Sequence, residues 1–193
     1  MTIDLAPAAT QVSRVAAGVR DDHLDLPTPC TQWPVSVLLS HLVALSEAFT
    51  AAAEKRPFPG DAATIPPLPS GWRTRLESNL DALVAAWRAP AAWEGEASAG
   101  GVTMPAEVMG VVALDELVLH GWDLAAATGQ PFDADPVDVQ ACLGFAEAMS
   151  QPGDEVSREG LYGPVVPVPV GADEFAHLLG YAGRDPGWVA DRE

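Results

Sequence analysis

Two imidazoles and a carboxylate make up the part of this sequence best suited to chemistry. His41 lies within VSVLLSHLVALSEAF, while Glu116 and His120 lie four residues apart within EVMGVVALDELVLHGWDLAAATG. Residues i and i+4 share a helix face. If the two segments pack side by side, the three groups can converge on one divalent cation and leave a coordination position open to water or substrate, as catalytic sites do. Spacing alone is a weak signal, because acidic residues are frequent here. A hydrogen-bonded Glu–His pair, or a partly exposed helix face, would satisfy it equally. The setting adds weight: His41 sits among Leu38, Leu39, Leu42 and Leu45, and the Glu116/His120 pair among Val112, Leu117, Val118 and Leu119. Polar groups facing inward from such helices need partners.

The elements that must position these groups follow from periodicity. A first helix runs from after Asp4 to about Asp22, with Val12, Val15, Ala16 and Val19 at helical spacing. LDLPTPCTQW holds two prolines and is an extended connector into a second helix, about Pro34 to Lys55. Residues 56–70, with five prolines, form a loop ending at Ser70 as a cap. A third helix, about Gly71 to Arg88, carries Leu76, Leu80, Leu83, Val84 and Trp87. APAAWEGEASAGGV is read as a loop with room for a short extended stretch. The fourth helix starts near Thr103-Met104-Pro105 and ends at Gly129; Glu116, His120 and Asp123 project from one of its faces. A fifth helix, about Asp135 to Met149, precedes a proline-rich arm and a short final helix in ADEFAHLLGYAGRD. The expectation is all-α: an up-down four-helix bundle with a short extra C-terminal helix and an extended arm, forming one domain over residues 1–193.

Composition narrows the function. A net charge of −17 with only ten Lys and Arg argues against a nucleic-acid partner. Neither an uninterrupted apolar span nor a signal-peptide pattern stands out, so the expectation is a cytoplasmic protein without a membrane partner. Cys30 and Cys142 form no CxxC pair and are read as free, at least partly buried thiols. Cys30 is placed too far from His41 along the chain to ligate with it. His23 is explained by the end of the first helix, and His177 by packing or surface. Trp33 and Trp122 are core anchors or walls of a pocket. Arg73 and Arg75 are on a solvated helix face or, alternatively, at an anion site. Dinucleotide-binding, Walker and nucleophile-elbow patterns are absent.

TPCTQWPVSVLLSHLV, ELVLHGWDLAAATG, YGPVVPVPVGADEF and LLGYAGRDPGW together resemble the DinB-like superfamily. The resemblance is to its actinobacterial metal-binding proteins related to the N-terminal domain of mycothiol-dependent maleylpyruvate isomerase, and it extends from about residue 5 to the end of the sequence. It implies a helical bundle holding a divalent metal, Zn²⁺ or alternatively Ni²⁺, with His41, Glu116 and His120 at the ligand positions. It also implies Asp123 as orienter of a ligand imidazole or as proton relay, with a solvated carboxylate near the helix end as the alternative. The family's chemistry suggests mycothiol as cosubstrate, in S-transfer to a small electrophile or thiol-dependent isomerisation. The additional C-terminal domain of the isomerase is not matched, so the metal centre is better supported than the isomerase reaction. A non-catalytic metal- or ligand-binding bundle and a metal-dependent hydrolase stay open, as does a homodimer.

Overall fold

The computed structural model describes residues 2–30, 33–58, 65–151, 153, 158 and 160–190. Its elements are α1 (Ala6–Ala17), α2 (Val35–Ala53), α3 (Trp72–Trp87), β1 (Glu96–Ala99), β2 (Val102–Pro105), α4 (Ala106–Thr128), α5 (Pro136–Ala148) and α6 (Glu174–Tyr181). Short 3₁₀ turns occupy Asp21–His23 and Pro90–Trp93. The chain is all-α apart from one two-stranded hairpin, in agreement with the helical bundle, short final helix and arm expected above.

Four helices close the bundle: α1 packs on α3 and α4, and α2 packs on α3 and α4. The ring therefore runs α1, α3, α2, α4, which makes α2 and α4 direct neighbours although about 50 residues separate them. Leu38, Leu39, Leu42, Leu83, Leu114, Leu117 and Leu124 fill the centre with essentially no exposure. α2 has the length and mean hydropathy (1.6) of a membrane span, yet 67% of that stretch is buried inside the bundle. Its apolar character is that of a core helix.

The connections differ from the sequence reading in physically simple ways. The first helix stops at Ala17, and Asp21–His23 form a separate turn in which the His23 Nδ1 accepts from the Arg20 amide, 3.4 Å. His23 is buried by that turn and does not cap a helix dipole. Gly71, in the left-handed region at φ +72°, starts α3 in place of Ser70. Residues 96–105 pair as an antiparallel hairpin, so Thr103 and Met104 belong to β2, and Pro105 is the entry residue of α4. The hairpin closes through Gly100 and Gly101, both at positive φ, where only glycine turns the chain without strain. Gly129, at φ +69°, ends α4 as expected. Of the proline-rich stretch 56–70, residues 59–64 lie outside the described residues, and the others form a loop.

Asp138 at the start of α5 is only 2% exposed, and its Oδ2 has no hydrogen-bond partner. Burial, with Asp135 and Asp4 adding like charge, pushes its pKa up to about 6, against an ordinary 3.8. The folded state therefore favours the protonated acid: the stability it contributes is complete below pH 3.8 and lost as pH rises through about 6. Asp138→Asn is expected to stabilise the protein at pH 7 by about 1–2 kcal/mol and to have no stabilising effect near pH 3.5. Urea unfolding at the two pH values reads the difference; equal effects at both would contradict the assignment.

Candidate metal centre

The extended connector folds back before α2 begins: the Val35 amide donates to the Leu26 carbonyl and the Ser36 amide to Leu24. This sets α2 so that His41 faces α4. On α4, Glu116 and His120 share a face as their spacing requires. His41 Nε2 lies 3.3 Å from Glu116 Oε2, and His120 Nε2 lies 3.1 Å from the same oxygen. The imidazole centroids are 4.9 Å apart with planes at 85°, and the three residues can each direct a donor atom into a space where all lie within 4.8 Å of one another.

These separations suit a cation. Metal–donor bonds of about 2.0–2.2 Å at tetrahedral angles hold donor atoms roughly 3.3–3.5 Å apart, close to what Glu116 already makes with both imidazoles. His41 and Glu116 side chains remain 24% and 21% exposed, whereas His120 is 8% exposed. One side of the triangle thus faces solvent.

Asp123, one turn beyond His120, is completely buried. Its Oδ2 accepts from His120 Nδ1 at 2.9 Å and from Arg184 Nη2 at 3.0 Å, while Arg184 Nε approaches Oδ1 at 3.4 Å. Arg184 also donates to the Ala182 carbonyl. The carboxylate thereby fixes the proton of His120 on Nδ1 and turns Nε2 towards Glu116 and His41, the orientation a ligand imidazole needs. Arg184 was not singled out from sequence. It follows α6, about 60 residues beyond Asp123, and a buried arginine near a buried aspartate has no local spacing signature. The arm that delivers it is pinned by Tyr162, whose hydroxyl donates to Asp115 Oδ2 at 2.7 Å, and by the Val166 amide donating to the Gly180 carbonyl.

The electrostatics are those of charges held out of water. Burial favours neutral Glu116, but the hydrogen bonds of His120 and His41 outweigh it and hold the carboxyl well below its ordinary range. Burial likewise opposes charge on His120, yet Asp123 and Glu116 raise its pKa to about 9. Burial would raise Asp123 too; the Arg184 charge and the His120 hydrogen bond bring it down instead. In the cation-free protein His120 is therefore the imidazolium at pH 7, with a second proton on Nε2 beside the one held on Nδ1. Its contribution to folding is complete below pH 6.5 and lost as pH rises through about 9. A cation binding at Nε2 must displace that proton. About one proton released per cation at pH 7, with affinity climbing up to about tenfold per pH unit towards pH 9, is expected from calorimetry in buffers of different ionisation enthalpy. Cation uptake with no proton release would contradict the linkage.

Cys30 stands outside the cluster of His41, Glu116 and His120 but groups with His120 and Asp123. The folded-back connector brings its thiol within 4.8 Å of donor atoms on His120 and Asp123, although it stands far from them in the chain. Burial and the Asp123 charge push that thiol up to about 11, so it is held protonated. Trp33, at the end of the same turn, lies over both imidazoles, with ring centroids 4.7 Å from His41 and 5.7 Å from His120. Thr28 holds the turn by donating to the Trp33 carbonyl at 2.7 Å. Trp33 thus walls the centre, whereas Trp122 packs partly buried against the core. Arg73 donates to the Val19 carbonyl and Asp21, and Arg75 pairs with Glu47; the structure commits both to the α3 surface rather than to an anion site. His177 belongs to neither donor cluster, and Cys142 is a buried free thiol.

A bundle with two imidazoles and a carboxylate converging from neighbouring helices defines a class of helical protein with a metal-type donor set. Residues 5–125, well over half of the chain, match the mycothiol maleylpyruvate isomerase N-terminal domain family, and the chain belongs to that family. It is 33% identical over 147 residues to two uncharacterized proteins of Mycobacterium tuberculosis, from strains CDC 1551 / Oshkosh and ATCC 25618 / H37Rv; the match covers 70% of this chain and 71% of each relative. Crystal structures of the mycothiol-dependent maleylpyruvate isomerase and of a point mutant superpose with TM-scores of 0.55, at 21% and 20% identity. Each match covers 74% of this chain and 66% of the isomerase chain. This likeness establishes the shared fold, and the DinB-like superfamily is consistent with the family match.

Proposed function

We propose that the protein is a metal-dependent enzyme that transfers a low-molecular-weight thiol, of which mycothiol is the family's example, to a small electrophile, or adds it reversibly to isomerise one. The convergence of His41, Glu116 and His120 on one solvent-facing point carries this reading, and membership of the isomerase N-terminal domain family supports it. These three residues hold the cation, with Zn²⁺ best suited to an N₂O donor set and Ni²⁺ the alternative. The cation, when bound, supplies a positive centre that favours the thiolate, the nucleophilic form.

The chain's own residues do the rest. Glu116 holds both imidazoles and contributes one negative charge. Asp123, fixed by Arg184, is a positioning residue: it keeps the His120 proton on Nδ1 and leaves Nε2 free. Trp33 excludes water from one side of the imidazoles. In transfer, the S–H proton goes to solvent, a C–S bond forms and the leaving group departs with its electron pair. In isomerisation, the same C–S bond forms and breaks again after the neighbouring bond has rotated.

The test is thiol consumption with mycothiol and a panel of small electrophiles, run on zinc-loaded and chelator-stripped protein. Turnover that disappears on stripping and returns with one equivalent of zinc is expected. Equal turnover by stripped and loaded protein would overturn the reading.

A further inference from the structure

Resting on that reading, we propose that the electrophile taken at this centre is uncharged and has a flat or apolar face received against Trp33, and that carboxylate-bearing electrophiles are discriminated against.

The first argument is the placement of cations. Of the ten Lys and Arg residues, Arg192 lies outside the described residues. Each of the other nine donates to a carboxylate, carbonyl or amide oxygen of the protein itself. The one cationic side chain described at the centre is Arg184, which is 7% exposed and bound to Asp123. Its charge is matched, and withdrawing it would leave the buried Asp123 carboxylate with His120 alone as partner. The pair Arg73 and Arg75 stands on α3, diagonally across the ring from α4, and each has an acidic partner.

The second argument is the charge already present. Asp123 is matched by Arg184, but Glu116 adds a further carboxylate to the centre, the protein carries −17 overall, and a substrate carboxylate would enter against that field. A carboxylate losing water there meets, among the described residues, no cationic side chain of the site but the matched Arg184, so its desolvation is compensated only by the cation that the thiol also needs. The third argument is what the wall offers instead. Trp33 is half-buried and lies across His41 and His120. An indole face receives planar and apolar groups through dispersion and area burial, with no charge required.

The experiment uses the full chain loaded with zinc and saturated with mycothiol, so that the thiol occupies the open cation position, and a matched, unreactive pair of probes, para-toluamide and para-toluate, titrated by calorimetry. The amide is expected to bind at least about tenfold tighter than the carboxylate. Trp33→Ala should remove that advantage while leaving zinc content unchanged, and Trp33→Phe should retain most of it. Toluate binding equally or more tightly, absence of binding by either probe, or a preference that survives Trp33→Ala would overturn the proposal. Failure of the metal reading is seen separately, as a chain that takes up no zinc. The reactive counterparts, para-(chloromethyl)benzamide and para-(chloromethyl)benzoate with mycothiol, should then differ in kcat/KM in the same direction.

Discussion

Replacing His41 by alanine is expected to lower cation affinity by more than about 100-fold and to reduce a near-stoichiometric zinc content to a trace. The size follows from the geometry. His41 supplies one of three donor atoms and is the sole one offered by α2, so its loss leaves two donors from a single helix. Loss of an outer-shell partner alone costs a metal site about 10–100-fold in affinity, and a direct ligand contributes more. The same substitution should scarcely affect folding without cation, because the side chain is 24% exposed and its hydrogen-bond partner Glu116 keeps His120. A change within about 0.5 kcal/mol is expected in urea unfolding of stripped protein. Elemental analysis and unfolding of the same samples separate the two effects. Unchanged zinc content in the His41→Ala protein would remove His41 from the site.

Arg184→Ala should be the most destabilising single change near the centre, at about 2–4 kcal/mol, because it leaves a fully buried carboxylate with His120 as its one remaining charged partner. Burial opposes charge on Arg184 too, and the Asp123 carboxylate nevertheless raises its pKa above the ordinary arginine value. Lysine has neither the planar fork nor the reach of both Asp123 oxygens, so Arg184→Lys should recover only part of the loss. A double-mutant cycle with Asp123→Asn isolates the pair: once the carboxylate is gone, removing the guanidinium should cost much less. Cation affinity should fall about 10–100-fold in Asp123→Asn, as expected for a group that orients a ligand imidazole. Additive losses in the cycle, or unchanged zinc affinity, would show that Asp123 and Arg184 do not act through His120.

The helices were readable because each carries its own local signal. Leu38, Leu39, Leu42 and Leu45 on the second, Leu76, Leu80 and Leu83 on the third, and the glycine at 129 that ends the fourth are statements about periodicity and backbone freedom, and both are local. The hairpin at 96–105 was not readable in detail. Its four-residue strands have little side-chain alternation and depend on pairing and on packing beneath α4, where Gly110 admits Trp93 and Trp87; a Cβ there would lie 2.4 Å from the Trp93 ring.

The candidate site divides in the same way. Sequence alone determined that Glu116, His120 and Asp123 share one face of one helix, since 3.6 residues per turn leaves no alternative once the segment is helical. It also determined the acidity that disfavours a nucleic-acid partner, and its family motifs suggested His41 as the third donor. Only the tertiary structure decided that α2 lies directly beside α4, that the connector folds back to bring Trp33 over both imidazoles and Cys30 near His120, and that Arg184 reaches Asp123 from the far end of the chain. Those contacts depend on how separately formed helices bury their apolar faces together, and distance along the chain carries no record of that arrangement.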